Sequence, residues 1–218
     1  MESLSDPNAV ADMERFGINP HNTYGVSIPK LRKLARQIGR NHRLGQRLWS
    51  SGIHEARILA ALIDSPERVT EKQMENWVKD FDSWDVCDGC CGNLFDKTKF
   101  AYLKAVAWSQ SCEEFVKRAG FVLMAQLAVH DKKANDKEFV KFFPIIQREA
   151  TDHRNFVRKA VNWALRQIGK RNLYLNTVAI KTGKKIQEID STTAKWIASD
   201  ALRELTGEAV QMRLRRRA

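Results

Sequence analysis

The sequence predicts an all-α protein built as an array of short paired helices, and three observations carry that prediction. Nearly every segment repeats its apolar residues at helical spacing, and the Val/Ile/Thr-rich alternation of strands is absent. Two segments, "FVKRAGFVLMAQLA" (115–128) and "FVRKAVNWALRQIG" (156–169), also align without gaps at an offset of 41. The 218 residues suffice for one well-buried domain. We divide it into a lead-in over 1–25, a helical array over 26–206 and a basic tail over 207–218.

The elements follow in order. Pro29 opens "PKLRKLARQIG", and Gly39 can close it. "HRLGQRLWSSG" and "IHEARILAALID" come next, and Asp64, Ser65 and Pro66 break the pattern. Thr70 with Gln73 forms a capping box ahead of "MENWVKDF", and a further helix is expected from about Ser83. Later helices are predicted over 99–109, 112–131, 137–150, 154–170, 172–189 and 191–205. Asn172 and Ser191 serve as N-caps, and Pro144 is expected to kink the helix that contains it.

The two aligned segments share Phe, Val, Ala and Gln, with Lys-Arg in one copy facing Arg-Lys in the other. A 41-residue period lies in the range of HEAT-like and armadillo-type pairs, whose units stack into a superhelix. The expected shape is a curved array with a concave basic groove, a natural cradle for a rod of phosphates.

Charge points the same way. The chain carries 37 Lys+Arg against 26 Asp+Glu, a net charge of +11. From Arg15 to His54 there are eight basic residues and no acid, and from His153 to Gln187 nine more, again with none. Two acid-free blocks predict strong positive potential and a polyanionic partner, most simply nucleic acid, whereas a solvated cationic face is the plain alternative. The ending "MRLRRRA" is expected to be a disordered auxiliary contact. No run reaches the roughly 18 apolar residues of a membrane span, and the N-terminus lacks the layout of a signal peptide. The expectation is a cytoplasmic protein that is monomeric and has no membrane partner. Four cysteines make no disulfide framework, so reduced thiols are expected.

The densest chemistry lies in "FDSWDVCDGCCGNLF" (81–95), which could be a metal or redox site, a carboxylate beside an aromatic wall, or a crowded helix start. A structural zinc site needs four ligands, and no second Cys-x-x-Cys or His pair of suitable spacing exists, so no metal is assigned. A redox reading needs a βαβ context that the sequence lacks, and buried thiols on a packed helix face are the simpler reading. Trp84 and Asp88, four residues apart, share one helix face, with Asp85 just off it. An indole and a carboxylate together can hold a cation, although a core tryptophan beside a helix-start aspartate has the same spacing. Arg118, on an otherwise apolar helix, requires a carboxylate or a phosphate. Trp163 shares a face with Lys159, Arg166 and Lys170, an indole among phosphate-seeking side chains, with core packing as the alternative. His130 fits a helix C-terminus without chemistry.

At these residues the sequence resembles the AlkD-like DNA alkylation repair family. The likeness runs from "PKLRKLARQIG" to "ALREL" and is sharpest in "LWSSGIHEARILAALI", "FDSWDVCD", "EFVKRAGFVLMAQLA" and "NFVRKAVNWALRQIGKRN". It implies HEAT-like helical arrays that remove cationic N3- and N7-alkylated purines from duplex DNA without a metal or organic cofactor. It also implies roles for particular residues: Asp88 as the catalytic carboxylate, Trp84 four residues before it, Arg118 and Trp163 in the cleft, and Arg166 three residues beyond Trp163. Asp82 and Asp85 flank the proposed acid, so the register of the helix decides the assignment. Relatives on this scaffold that bind unusual DNA structures without excision keep a non-catalytic module, for damaged or branched DNA, as the alternative. A scaffold for an acidic protein is a third reading.

Overall fold

A computed structural model of the chain describes residues 4–216, and among these every regular element is helical. Packing divides the chain into two compact units, one ending at Phe100 and one beginning at Ala101.

The first unit holds α1 (Pro7–Arg15), α2 (Ile28–Ile38), α3 (His42–Ser50), α4 (His54–Ile63), α5 (Glu71–Lys79) and α6 (Trp84–Asn93). The helix α1 lies inside the expected lead-in. Asp6 starts it by accepting from the amides of Asn8 and Ala9, and Pro7 follows at a position where no N–H is needed. Gly39 ends α2 at φ 70°, in the left-handed region that glycine enters without a side-chain penalty. The Thr70 hydroxyl caps α5 by accepting from Gln73 N at 3.1 Å.

The helix α4 is the axis of this unit. Ala56, Ile58, Leu59, Ala60, Ala61 and Ile63 are all buried, and α2, α3 and α6 pack on it. Beside it Trp49 and Trp77 stack with ring centroids 3.9 Å apart, and Phe81 meets Trp49 edge-on. Two buried acids tie the surrounding chain down. Glu55 accepts from Thr23 Oγ1 at 2.6 Å, Tyr24 N at 3.0 Å and Val26 N at 3.1 Å, which fastens the segment before α2 to α4. Burial works to raise the pKa of Glu55, but the Thr23 hydroxyl and the backbone donors outweigh it and hold the pKa below its ordinary value. Asp64 is hydrogen-bonded to His42 Nδ1 at 2.6 Å, Gln46 Nε2 at 3.1 Å and Gln73 Nε2 at 2.8 Å, which draws α3 and α5 to the end of α4.

The second unit holds α7 (Ala101–Trp108), α8 (Glu114–His130), α9 (Asp136–Val140), α10 (Phe142–Arg148), α11 (Asn155–Gly169), α12 (Leu173–Gln187), α13 (Thr192–Thr206) and α14 (Glu208–Arg215). The two aligned segments lie on α8 and α11, which pack directly on each other. Their equivalent residues Phe115 and Phe156 meet with ring centroids 5.3 Å apart. A Cβ on Gly120 would sit 2.4 Å from Ser109 N, so only glycine lets α8 approach the end of α7 this closely. The predicted caps Asn172 and Ser191 accept from Leu175 N and Ala194 N.

Two expectations change. The helix predicted over 137–150 is instead the pair α9 and α10, broken at Lys141 rather than kinked at Pro144. Proline offers no N–H to the carbonyl of Val140 and its ring crowds that oxygen, so the chain starts a new helix in whose first turn Pro144 costs nothing. The expected disordered tail is helical from Glu208 to Arg215, with Val210 and Leu214 buried one turn apart and Gln211 donating to Leu205 O at 2.6 Å. Its arginines masked that apolar pair; Arg217 and Ala218 lie outside the described residues.

Candidate active site and nucleic-acid interface

The start of α6 falls where the sequence predicted it, with Ser83 at the N-cap position and Trp84 as the first helical residue. Trp84 and Asp88 are therefore one turn apart on one face, and both are half-buried. The segment before α2 grips this helix start. Trp84 Nε1 donates to Phe16 O at 3.0 Å, Asn19 N donates to Ser83 Oγ at 3.0 Å, and Asn19 Nδ2 donates to Asp82 at 3.0 Å.

Two of the three carboxylates anchor this helix start. Asp82 holds Asn19 and lies 3.7 Å from Arg57 Nη1. Asp85 is bonded to His54 Nε2 at 2.8 Å and accepts from Val86 N at 3.0 Å. Both flanking acids thus fix the helix to α4 and the preceding segment, and Asp88 is the carboxylate on the face of Trp84. His54 is almost fully buried, which lowers its pKa, but the Asp85 hydrogen bond and charge, with Glu55 and Asp82, outweigh that and raise the pKa above the ordinary value. Cys87, Cys90 and Cys91 lie on the packed side. Burial pushes the Cys90 and Cys91 thiols far up, so they stay protonated and are poor nucleophiles or ligands. Among the described residues no group of three or more His, Cys, Asp or Glu is placed to hold a metal.

In the second unit Arg118 is buried on α8, and its Nη1 donates to Phe156 O at 2.7 Å in the first turn of α11. Along α11, Lys159, Trp163, Arg166 and Lys170 occupy successive turns of one face. Lys159 is exposed and Trp163 half-buried. Arg166 lies 3.1 Å from Asp200 and 2.9 Å from Glu204, and Lys170 lies 2.6 Å from Glu204, so α13 neutralises the later half of that face. A second cluster sits at the start of α11. There Asp152 holds Arg154 Nε at 2.9 Å and Lys117 Nζ at 3.2 Å. Burial opposes ionisation of Asp152, yet the Arg154 and Lys117 bonds bring its pKa down to about 2.

The family model for DNA alkylation repair enzymes matches residues 1–205. The chain belongs to the DNA alkylation repair enzyme family. Two curated relatives, the Lmo0209 protein of Listeria monocytogenes and the Lin0241 protein of Listeria innocua, are each 25% identical over 130 residues. Those matches span 58% of this chain and 58% of each relative. One solved structure represents a new family of proteins related to the HEAT-like repeat DNA glycosylases with affinity for branched DNA structures. It agrees with a TM-score of 0.76 at 16% identity, covering 93% of this chain and 91% of that chain. The fold is thus HEAT-like, as the 41-residue offset predicted.

For a DNA alkylation repair family member, the residues that sequence reasoning missed are those of α4 that hold the start of α6 and the segment before α2. His54, Glu55 and Arg57 all lie in "IHEARILAAL", which reads as one more amphipathic helix. The available signal was the acid at position 55 within an otherwise apolar run, because a buried carboxylate requires several donors.

Proposed function

We propose that the protein is a DNA repair glycosylase that hydrolyses the N-glycosidic bond of cationic N3- or N7-alkylated purines in duplex DNA. The observation that carries this reading is the helix face that Trp84 and Asp88 share on α6, where both are half-buried. Asp82 and Asp85 are bound to Asn19, Arg57 and His54, and Asp88 stands one turn beyond Trp84. Family membership gives the reading its chemical setting.

An alkylated purine already carries positive charge, so its bond to C1′ can break with the electron pair going to the base and without a general acid. Asp88 stabilises the oxocarbenium-like sugar and orients the water whose oxygen bonds to C1′ as it loses a proton to solvent. Trp84 packs on the cationic nucleotide, and Trp163 offers the second unit an indole for stacking on DNA. Lys159 takes a phosphate, and Arg118 shapes the backbone contact from its place against α11. Arg166 and Lys170 reach phosphate by sharing their carboxylates on α13 and serve as secondary contacts. No cofactor enters the reaction, and the protein acts as a monomer.

The test incubates methylated duplex with the protein and measures free 7-methylguanine and 3-methyladenine. Asp88→Asn should lower release by at least about 100-fold, the usual cost of losing an electrostatic stabiliser. No release by the wild type at low salt, or full release by the variant, overturns the assignment. The second reading is a non-catalytic module for branched or damaged DNA, and the named affinity of the fold neighbour favours it. Binding of nicked or branched duplex that survives Asp88→Asn, with no base release, selects it.

A further inference from the structure

Beyond the Lys170 end of α11, a cavity of about 540 Å³ lies within the second unit where α8 ends, α11 turns into α12 and α14 returns. Its walls include Lys132, Lys170, Arg171 and Arg213 against a single carboxylate, Asp136. Asp136 is already engaged. Both its oxygens accept from Asn172 Nδ2, at 2.9 and 3.0 Å, and Arg171 Nε lies 4.0 Å away.

The four cations differ in what they are free to do. Arg171 is fixed, because Nη1 donates to Ala128 O at 3.1 Å, Nη2 donates to Ala134 O at 3.0 Å, and its guanidinium lies 4.4 Å from the centroid of the Phe139 ring. Lys170 is held by Glu204 at 2.6 Å. Lys132 and Arg213 are exposed and make no ion pair among the described residues. The 15-residue helix α12 also begins at this wall. Asn172 caps it and its first turn holds no acid, so the partial positive charge of the helix start adds to the cations.

We propose that this corner is a binding site for a phosphate-class anion, with Lys132 and Arg213 supplying mobile charge over a wall made rigid by Arg171 and Asn172. Its volume is in the range of small-ligand sites and exceeds the needs of a lone monovalent ion. The same chemistry fits a phosphodiester on a nucleic-acid strand or a free oligophosphate. The site does not depend on base excision, since Asp88 takes no part in it. It also gives the arginine-rich ending a place in the fold, because α14 delivers Arg213.

The full chain is titrated calorimetrically with pyrophosphate at low salt, as wild type, as Lys132→Ala/Arg213→Ala and as Asp88→Asn. The expected result is saturable one-site binding that the double variant weakens by about tenfold or more while its melting temperature holds, and that Asp88→Asn leaves unchanged. Repeating the titration on protein saturated with linear duplex identifies the source. Pyrophosphate excluded by the duplex assigns the site to a strand phosphate, and pyrophosphate still bound assigns it to a free oligophosphate. Absence of saturable binding in the wild type, or equal binding by the double variant, overturns the proposal.

Discussion

Residues 15–54 and residues 153–187 each form a basic stretch without an acid, and neighbouring helices treat them differently. In the first stretch Lys30, Arg32, Lys33, Arg36, Arg43 and Arg47 make no ion pair among the described residues. In the second, Asp152 holds Arg154, Asp136 faces Arg171, and Asp200 and Glu204 hold Arg166 and Lys170, whereas Arg158, Lys159, Lys181, Lys184 and Lys185 make no ion pair among the described residues. The acids nearest the first stretch serve other groups. Glu55 accepts from the Thr23 hydroxyl and two backbone amides, and Asp64 accepts from glutamines and pairs with His42. Burial explains the contrast, because Arg166 and Lys170 are half-covered and need neutralising, whereas the solvated cations of α2 and α3 are stabilised by water. A stretch that is acid-free in sequence is therefore not acid-free in space, and the more available charge belongs to α2 and α3.

The largest expected effect comes from removing Glu55, the acid that ties residues 23–26 to α4 instead of pairing with a cation. Glu55→Ala should cost about 3 kcal/mol in denaturant unfolding, since it orphans a hydroxyl and two amides that share a buried carboxylate. A loss under about 1 kcal/mol would mean that the tether to α4 is dispensable. Next in size is DNA affinity. Replacing Arg32, Arg36, Arg43 and Arg47 with alanine should weaken linear duplex binding at least tenfold at low salt, and should flatten the salt dependence by about 0.9 in slope for each phosphate that is no longer neutralised. Removing Arg166 and Lys170 together should change affinity by less than about threefold, because their charge is already matched. Equal effects of the two sets in a salt-series binding assay would erase the distinction.

The smaller tests concern the pairs themselves. Arg166→Gln leaves Asp200 and Glu204 facing less positive charge and should lower stability by about 1 kcal/mol with little change in duplex affinity. Smallest is the pH response, in which the two units should slope in opposite directions. The raised pKa of His54 means that its pair with Asp85 contributes fully below pH 6.5 and is lost as pH rises through the folded value. Asp152, brought from 3.8 to about 2, contributes above pH 3.8 and loses its contribution as pH falls toward 2. Unfolding measured across pH in His54→Gln and Asp152→Asn should flatten the slope in the corresponding window and leave the other window intact.

Legibility followed distance along the chain. Thr70, Asn172 and Ser191 bond amides three residues away, and the turn closed by Gly39 is equally local, so these features could be read directly. The face shared by Trp84 and Asp88 needed only helical spacing. Pro144 was legible as a breaker but misplaced, because the break falls at the preceding turn, where its ring meets a carbonyl. The helix α14 was hidden because two apolar residues among arginines carry little periodic signal.

By itself the sequence determined the helical class, the 41-residue pairing of α8 with α11, most helix ends and the excess of positive charge, since each rests on local spacing or simple counting. Only the tertiary structure decided which charges are used up within the fold. His54 and Asp85 are 31 residues apart, Arg166 and Asp200 34, and Glu55 and Tyr24 31. Coulomb and hydrogen-bond energies depend on separation in space. The packing of α4 on α6 and of α11 on α13 therefore selected the partners of these groups.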